Sequence, residues 1–202
     1  MIDADFKVIV GALAAIVAVF NYLPYLIGVF RKTLRPHAFS WIIWTLMTSI
    51  IFAAQLADGA GPGAWAAGVT AVTLFIIALG SLKNKGYKIT KGDKISFIGA
   101  LLAIPVWIIT ANPLWAAVIV TIIEALGFFP TYRKAFYHPE DESSFAFMLT
   151  ILKYGLALIA LENYTVTTML FPIALIVLSA TLVIEIWWRK GIKKKINQRY
   201  NS

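Results

Sequence analysis

The chain contains no cysteine, which removes disulfides, thiol catalysis and soft-metal sites together and leaves no clue to redox compartment. Charge is scarce: Asp, Glu, Lys and Arg make up 14% of 202 residues, and histidine occurs twice. His37 and His138 each flank a loop proline and have no paired acid or thiol, so they make a poor metal set and read as solvated loop residues. No nucleophile–base pair, phosphate loop or metal-ligand spacing is present, so no enzyme and no cofactor are expected. Polar runs long enough for a soluble domain are absent as well. The amino terminus, Met1-Ile2-Asp3-Ala4-Asp5, is acidic where a cleavable signal is basic, so Val8 onward is expected to be a retained span.

What is there is apolar. Hydrophobic residues make up 60% of the chain and the mean hydropathy is +0.79, too much for one small core, so lipid is the expected solvent. A bilayer core of roughly 30 Å needs about 20 apolar residues in a helix. Seven such runs are legible, at about 8–30, 38–57, 62–82, 95–111, 113–133, 144–161 and 166–188, of which the fourth is the shortest. Continuous apolar runs, rather than alternation, select helices over a barrel.

Charge placement tests this topology independently. With the amino terminus outside, the 1–2, 3–4 and 5–6 loops and the carboxyl tail face the cytoplasm. They hold 16 of the 18 basic residues: Arg31, Lys32, Arg35, Lys83, Lys85, Lys88, Lys91, Lys94, Arg133, Lys134, Arg189, Lys190, Lys193, Lys194, Lys195 and Arg199. Lys7 lies at the outer boundary and Lys153 within the sixth run, while the outer loops carry Asp58 and Glu162. The net charge of +8 therefore reads as positive-inside topology and attraction to anionic lipid at the cytoplasmic face, with no nucleic-acid partner. Trp187-Trp188-Arg189-Lys190 reads as an aromatic belt and anchor.

Two stretches repeat one pattern. Pro24-Tyr25, Phe30-Arg31-Lys32, Pro36 and Phe39-Ser40-Trp41 correspond to Pro130-Thr131, Tyr132-Arg133-Lys134, Pro139 and Ser143-Ser144-Phe145. The proline-to-serine gap is 16 positions in the first and 14 in the second. In each, an apolar helix meets a proline, leaves through a basic turn and re-enters an apolar helix after serine. Internal repeats in a membrane protein point to a transporter whose halves move against each other. The expected architecture is all-α, with seven transmembrane helices as two parallel three-helix repeats joined by a linker helix (3+1+3). Its boundaries fall at 1–82, 83–112 for the basic loop and linker helix, 113–188, and 189–202 for a basic cytoplasmic tail.

These motifs resemble the PQ-loop superfamily, which includes the SWEET sugar transporters and their half-sized bacterial relatives. The proline and basic turn are Pro24 with Arg31-Lys32 and Pro130 with Arg133-Lys134, and the serine entry is Ser40 and Ser144. The family's glutamine is replaced by Tyr25 and Thr131, and 62–82 and 166–188 lack the asparagines that line many sugar sites. The resemblance implies the fold, alternating access and a small polar solute, with a sugar and a vitamin or nucleoside both open. The nicotinamide riboside transporters share the seven-helix plan. A receptor or sorting protein on the same fold is the alternative; a retinal protein is disfavoured because 166–188 has no lysine before its end.

Within the spans, Glu124 and Lys153 stand out, since a central charge needs a partner, water or a purpose. Each lies about 12–13 Å from the cytoplasmic end of its run by helical rise, so an ion pair between the fifth and sixth helices is expected, as a solute or coupling site or as a static tie. Asn21, Trp44, Thr73 and Ser179 are further candidates for the solute site; Trp41 and Trp44 suit stacking on a flat ring. Thr70 shares a face with Thr73, Thr181 lies near Ser179, and each hydroxyl has its own helix backbone as an alternative partner. Gln55 lies toward the outer end, and Glu185 at a boundary. Pro24 and Pro130 are candidate gate hinges, because each removes a helix hydrogen bond. The acids of 140–142 precede a helix start for which serine is the expected cap. Expected partners are the solute and the lipid of a bacterial or archaeal inner membrane, and a homo-oligomer is left open.

Overall fold

The computed structural model describes residues 3–34, 36–83 and 89–200, with side chains to residue 192. Arg35, Lys85 and Lys88, and the side chains of Lys193, Lys194, Lys195 and Arg199, therefore lie outside the described residues. The described residues are all helical, without strands. Seven helices follow in order: α1 (Ala4–Phe30), α2 (Ala38–Ala57), α3 (Trp65–Ser81), α4 (Lys91–Thr110), α5 (Pro113–Tyr137), α6 (Ser144–Ile159) and α7 (Val166–Tyr200). Six are long and apolar enough to cross a membrane, α3 with the 3-10 turn Gly61–Ala64 that precedes it. The exception is α6, at 16 residues. That is about 24 Å of helix, short of the hydrocarbon thickness.

The lengths correct the sequence expectation. The fourth run is not the shortest: α4 spans 20 residues because its start is set by a cap and not by hydropathy. Thr90 accepts from the Asp93 amide at 3.1 Å, and Asp93 accepts from the Thr90 amide at 2.8 Å, a reciprocal capping box legible as Thr-x-x-Asp. The cap expected before α6 is weaker, since Ser143 makes no side-chain capping bond. Glu142 beside it is held by Lys134 at 2.8 Å. Arg133 and Lys134, expected in a basic turn, belong to α5, which continues to Tyr137; Arg31 and Lys32 do form a turn after α1. The seventh helix likewise passes the expected boundary at 188 and runs through the basic tail.

Helix packing follows a simple scheme. α3 packs on both α1 and α2, and α7 on both α5 and α6. α1 then meets α6, and α2 meets α5, while α4 rests against α5 and α2 from outside. The core is rich in alanine: Ala14, Ala66, Ala67, Ala100, Ala103, Ala116, Ala117 and Ala157 are all buried. Small side chains let helices approach closely where lipid supplies no hydrophobic drive between them. On α1 the buried stripe Gly11, Ala14, Ala18, Asn21 has the same logic, and a Cβ on Gly11 would come within 2.7 Å of Pro62.

One end of the bundle is tied together. The Lys7 ammonium donates to the Leu161 carbonyl at 2.7 Å, the Glu162 amide to the Ala60 carbonyl at 3.1 Å, and the Thr165 hydroxyl to Asp58. The turn that allows this needs glycine at 59 and 61, whose φ values are +74° and +57°. A Cβ on Gly61 would also lie 2.3 Å from the Glu162 carboxyl carbon.

Prolines at 24, 105, 130 and 172 lie inside helices that continue past them. Each removes the amide that would serve the carbonyl four residues earlier. For Pro172 that carbonyl belongs to Thr168, and the fully buried Gln55 of α2 donates to it at 3.1 Å. A cross-helix amide thus replaces the lost helical bond. Gln55→Leu leaves the Thr168 carbonyl buried without a donor, so it should cost about 1–3 kcal/mol. Thermal melting of the detergent-purified protein checks this as a lowered Tm.

Candidate functional site

Midway along α6, the helix periodicity that buries Ala157 also turns Lys153 inward, and only 1% of its surface is accessible. Its ammonium donates to the Thr70 hydroxyl on α3 at 3.3 Å. It also lies 4.5 Å from the ring centre of Tyr154 and 5.2 Å from that of Tyr22 on α1. Two π faces and one hydroxyl are a modest shell for an ammonium with three donors. Thr70 in turn donates to the Ala66 carbonyl at 2.7 Å, so its oxygen is oriented to accept from Lys153.

The expected ion pair with Glu124 is absent from the described contacts. Helices α5 and α6 do not form a packed pair; α7 packs against both of them. Glu124 is half-buried and makes neither a hydrogen bond nor an ion pair among the described residues. Its carboxyl remains within electrostatic range of Lys153, Tyr22 and Tyr154. Glu124 and Lys153 therefore lie within each other's electrostatic range without direct contact. Equal distance from the helix ends does not fix the angular position of each helix in the bundle.

Asn21, one residue before Tyr22, reaches across from α1 to α6 and donates to the Thr150 hydroxyl at 2.9 Å. Thr150 lies one turn before Lys153, so the α1–α6 contact carries both polar links. Tyr22 also meets Trp41 edge-on at 6.3 Å, and Trp41 contacts Tyr25 at 5.1 Å and Trp44 at 5.2 Å. Trp41 is buried within this aromatic group, whereas Trp44 is exposed at its rim. Sequence reading singled out the tryptophans and missed Tyr22 and Tyr154, since a tyrosine in an apolar run carries no signal until a cation is placed over its ring.

The other candidates separate from this cluster. Thr73 is buried and donates to the Val69 carbonyl of its own helix at 2.7 Å. Thr181 donates to Val177 at 2.8 Å and also meets the Tyr132 hydroxyl. Ser179 is fully buried, and among the described residues its hydroxyl has no partner. Pro24 and Pro130 lie inside α1 and α5, beyond Asn21 and Glu124 respectively. His37 meets the Ser40 hydroxyl at 2.8 Å and His138 approaches Glu140 at 3.8 Å; among the described residues no three of His, Asp and Glu converge.

Comparison with protein-family models, with curated proteins and with solved structures found no match for this chain. The functional reading therefore rests on the cluster itself. A central charge in a membrane helix carries an insertion cost of at least ~2.5–3.5 kcal/mol. Replacing Lys153 by methionine keeps most of its volume and removes that cost. Lys153→Met is expected to leave the Tm unchanged or to raise it, while a marked fall would assign the lysine a purely structural role.

Proposed function

We propose that this chain is a membrane transporter of a small polar solute, working by alternating access between two three-helix units, 1–82 and 113–188, with α4 as their connector. The observation that carries the reading is the fully buried Lys153, held by groups of α1, α3 and α6, with Glu124 of α5 in electrostatic range and out of contact. Static structure has little use for such a pair: buried ionic groups are weak stabilisers even when in contact, and these are not. A polar guest with donors and acceptors satisfies both.

Three further observations support the arrangement. α3 packs between α1 and α2 as α7 packs between α5 and α6, and the α1–α6 contact has its counterpart in α2–α5, the pairing expected of two repeats about an axis along the membrane normal. The same scheme supports the resemblance to the PQ-loop superfamily, with sugar-like and vitamin- or nucleoside-like guests both retained. Second, hydrogen bonds between the units gather at the end that holds Asp58 and Glu162, a distribution suited to a gate closed on that side. Third, the described basic residues other than Lys7 and Lys153 fall toward the opposite end, which supports an external amino terminus and a cytoplasmic carboxyl terminus in a bacterial or archaeal inner membrane.

The direct test is flux of labelled sugars, nucleosides and vitamin-like compounds into proteoliposomes, preceded by a thermal-shift screen, since a bound guest raises stability by mass action. Glu124→Gln should lower uptake about tenfold, the scale of one charged hydrogen bond, with the protein still folded. Binding without flux for every compound would replace the transporter by a receptor on the same scaffold. The absence of cysteine allows a clean second experiment: Asp58→Cys with Thr165→Cys, joined by a short thiol cross-linker, should stop flux, and cleaving the linker should restore it.

A further inference from the structure

Outside the central cluster, α5 carries a second built feature. On one face, Ile122, Leu126 and Phe129 are 55%, 69% and 71% exposed, at steps of four and three residues, so they form a continuous apolar track along the helix. The track ends where the helix turns polar. There Phe129, Pro130, Arg133, Lys134, Tyr137 and His138 line an open groove of about 390 Å³. Pro130 withholds an amide from the Leu126 carbonyl at this point, a second polar atom facing the same level.

We infer that this strip binds one anionic phospholipid of the bilayer, with its acyl chain along Ile122, Leu126 and Phe129 and its phosphate at Arg133. Charge bookkeeping among the neighbours singles out that arginine. Lys134 is held by Glu142 at 2.8 Å, and His138 faces Glu140 at 3.8 Å. Arg189 lies 4.0 Å over the Phe136 ring and donates to the Phe136 carbonyl at 2.8 Å, and Lys190 reaches the Glu142 carbonyl at 3.5 Å. Arg133 alone in this group has no such partner among the described residues, and its planar fork suits a phosphate. Tyr137, 59% exposed one turn beyond, places an aromatic ring and a hydroxyl at head-group level. An apolar track leading into a free cation matches a lipid, whereas a soluble phosphate would leave the track without a role.

The inference stands on α5 crossing a bilayer and not on transport of any solute, so its test needs no flux. Full-length protein is purified into micelles doped with equal amounts of phosphatidylglycerol and phosphatidylcholine of the same chains, and retained lipid is counted by native mass spectrometry. Wild type should retain the anionic lipid about fivefold over the zwitterionic one, the ratio that one cation at the membrane surface supplies. Arg133→Gln should bring that ratio to the composition of the mixture, and Lys94→Gln, an exposed charge outside the groove, should leave it unchanged. Retention should also fall when the same head group carries short chains. An absent preference in wild type, an unaltered preference in Arg133→Gln, or complete displacement of the lipid by millimolar glycerol phosphate would each overturn the site. The head-group and chain-length comparisons use wild type alone, so they decide the matter even if the variant fails to fold.

Discussion

Hydrocarbon gives a polar atom no solvent, and the organisation of this bundle follows from where its few polar atoms find partners. Lys153 is the extreme case: an ammonium removed from both water and lipid, with Thr70 and two tyrosine rings as its shell. Because those partners come from α1, α3 and α6, the lysine couples helices that are distant in the chain. Asn21 with Thr150, and Gln55 with Thr168, repeat the device at other levels. Between these links the packing mixes many alanines with larger apolar side chains such as Ile51, Val120 and Phe171, which adds contact area but little direction. The polar links select one arrangement among the many that smooth apolar helices allow.

The same rule explains how the proline inside α7 is tolerated. A proline inside a membrane helix exposes a carbonyl, and the exposed carbonyl must be met from elsewhere. Gln55 meets it at Thr168, which makes a residue that reads as an isolated polar intrusion part of the support of α7. The close approaches around Gly59, Gly61 and Gly63 belong to the same end of the molecule, where the loops after α2 and α6 bond to each other through backbone and side chains. That end is joined by several hydrogen bonds; among the described residues, Gln55 Oε1 and the Ser179 hydroxyl remain buried without partners. The bundle is thus cross-linked by hydrogen bonds at one end and holds its buried lysine further in.

The central cluster and the α5 groove use charge differently. Lys153 is buried between helices with Glu124 half-buried within its field, whereas Arg133 is exposed at the rim of the α5 groove. Both positions are basic or acidic residues on apolar helices, and hydropathy alone treats them alike. Which side of the helix each occupies separates a buried position from an exposed one.

How far the chain could be read follows from these distinctions. Helix number, type and approximate ends were legible because a spanning helix needs a continuous apolar run, and that need is local; even the capping box at Thr90 was written in four residues. The intrusion of Lys153 and Glu124 was equally plain, since a charge in such a run is conspicuous. Their relation was not. An ion pair was expected from equal depth, but helices α5 and α6 each pack on α7 and not on each other, and depth says nothing of azimuth. Nor did any local pattern connect Gln55 with the carbonyl that Pro172 leaves open, 113 residues away. Composition and order along the chain determined that this protein is a set of apolar helices with basic connections. Only the tertiary structure decided which polar groups meet, because that depends on the rotation of each helix about its own axis, a quantity set by all its neighbours at once.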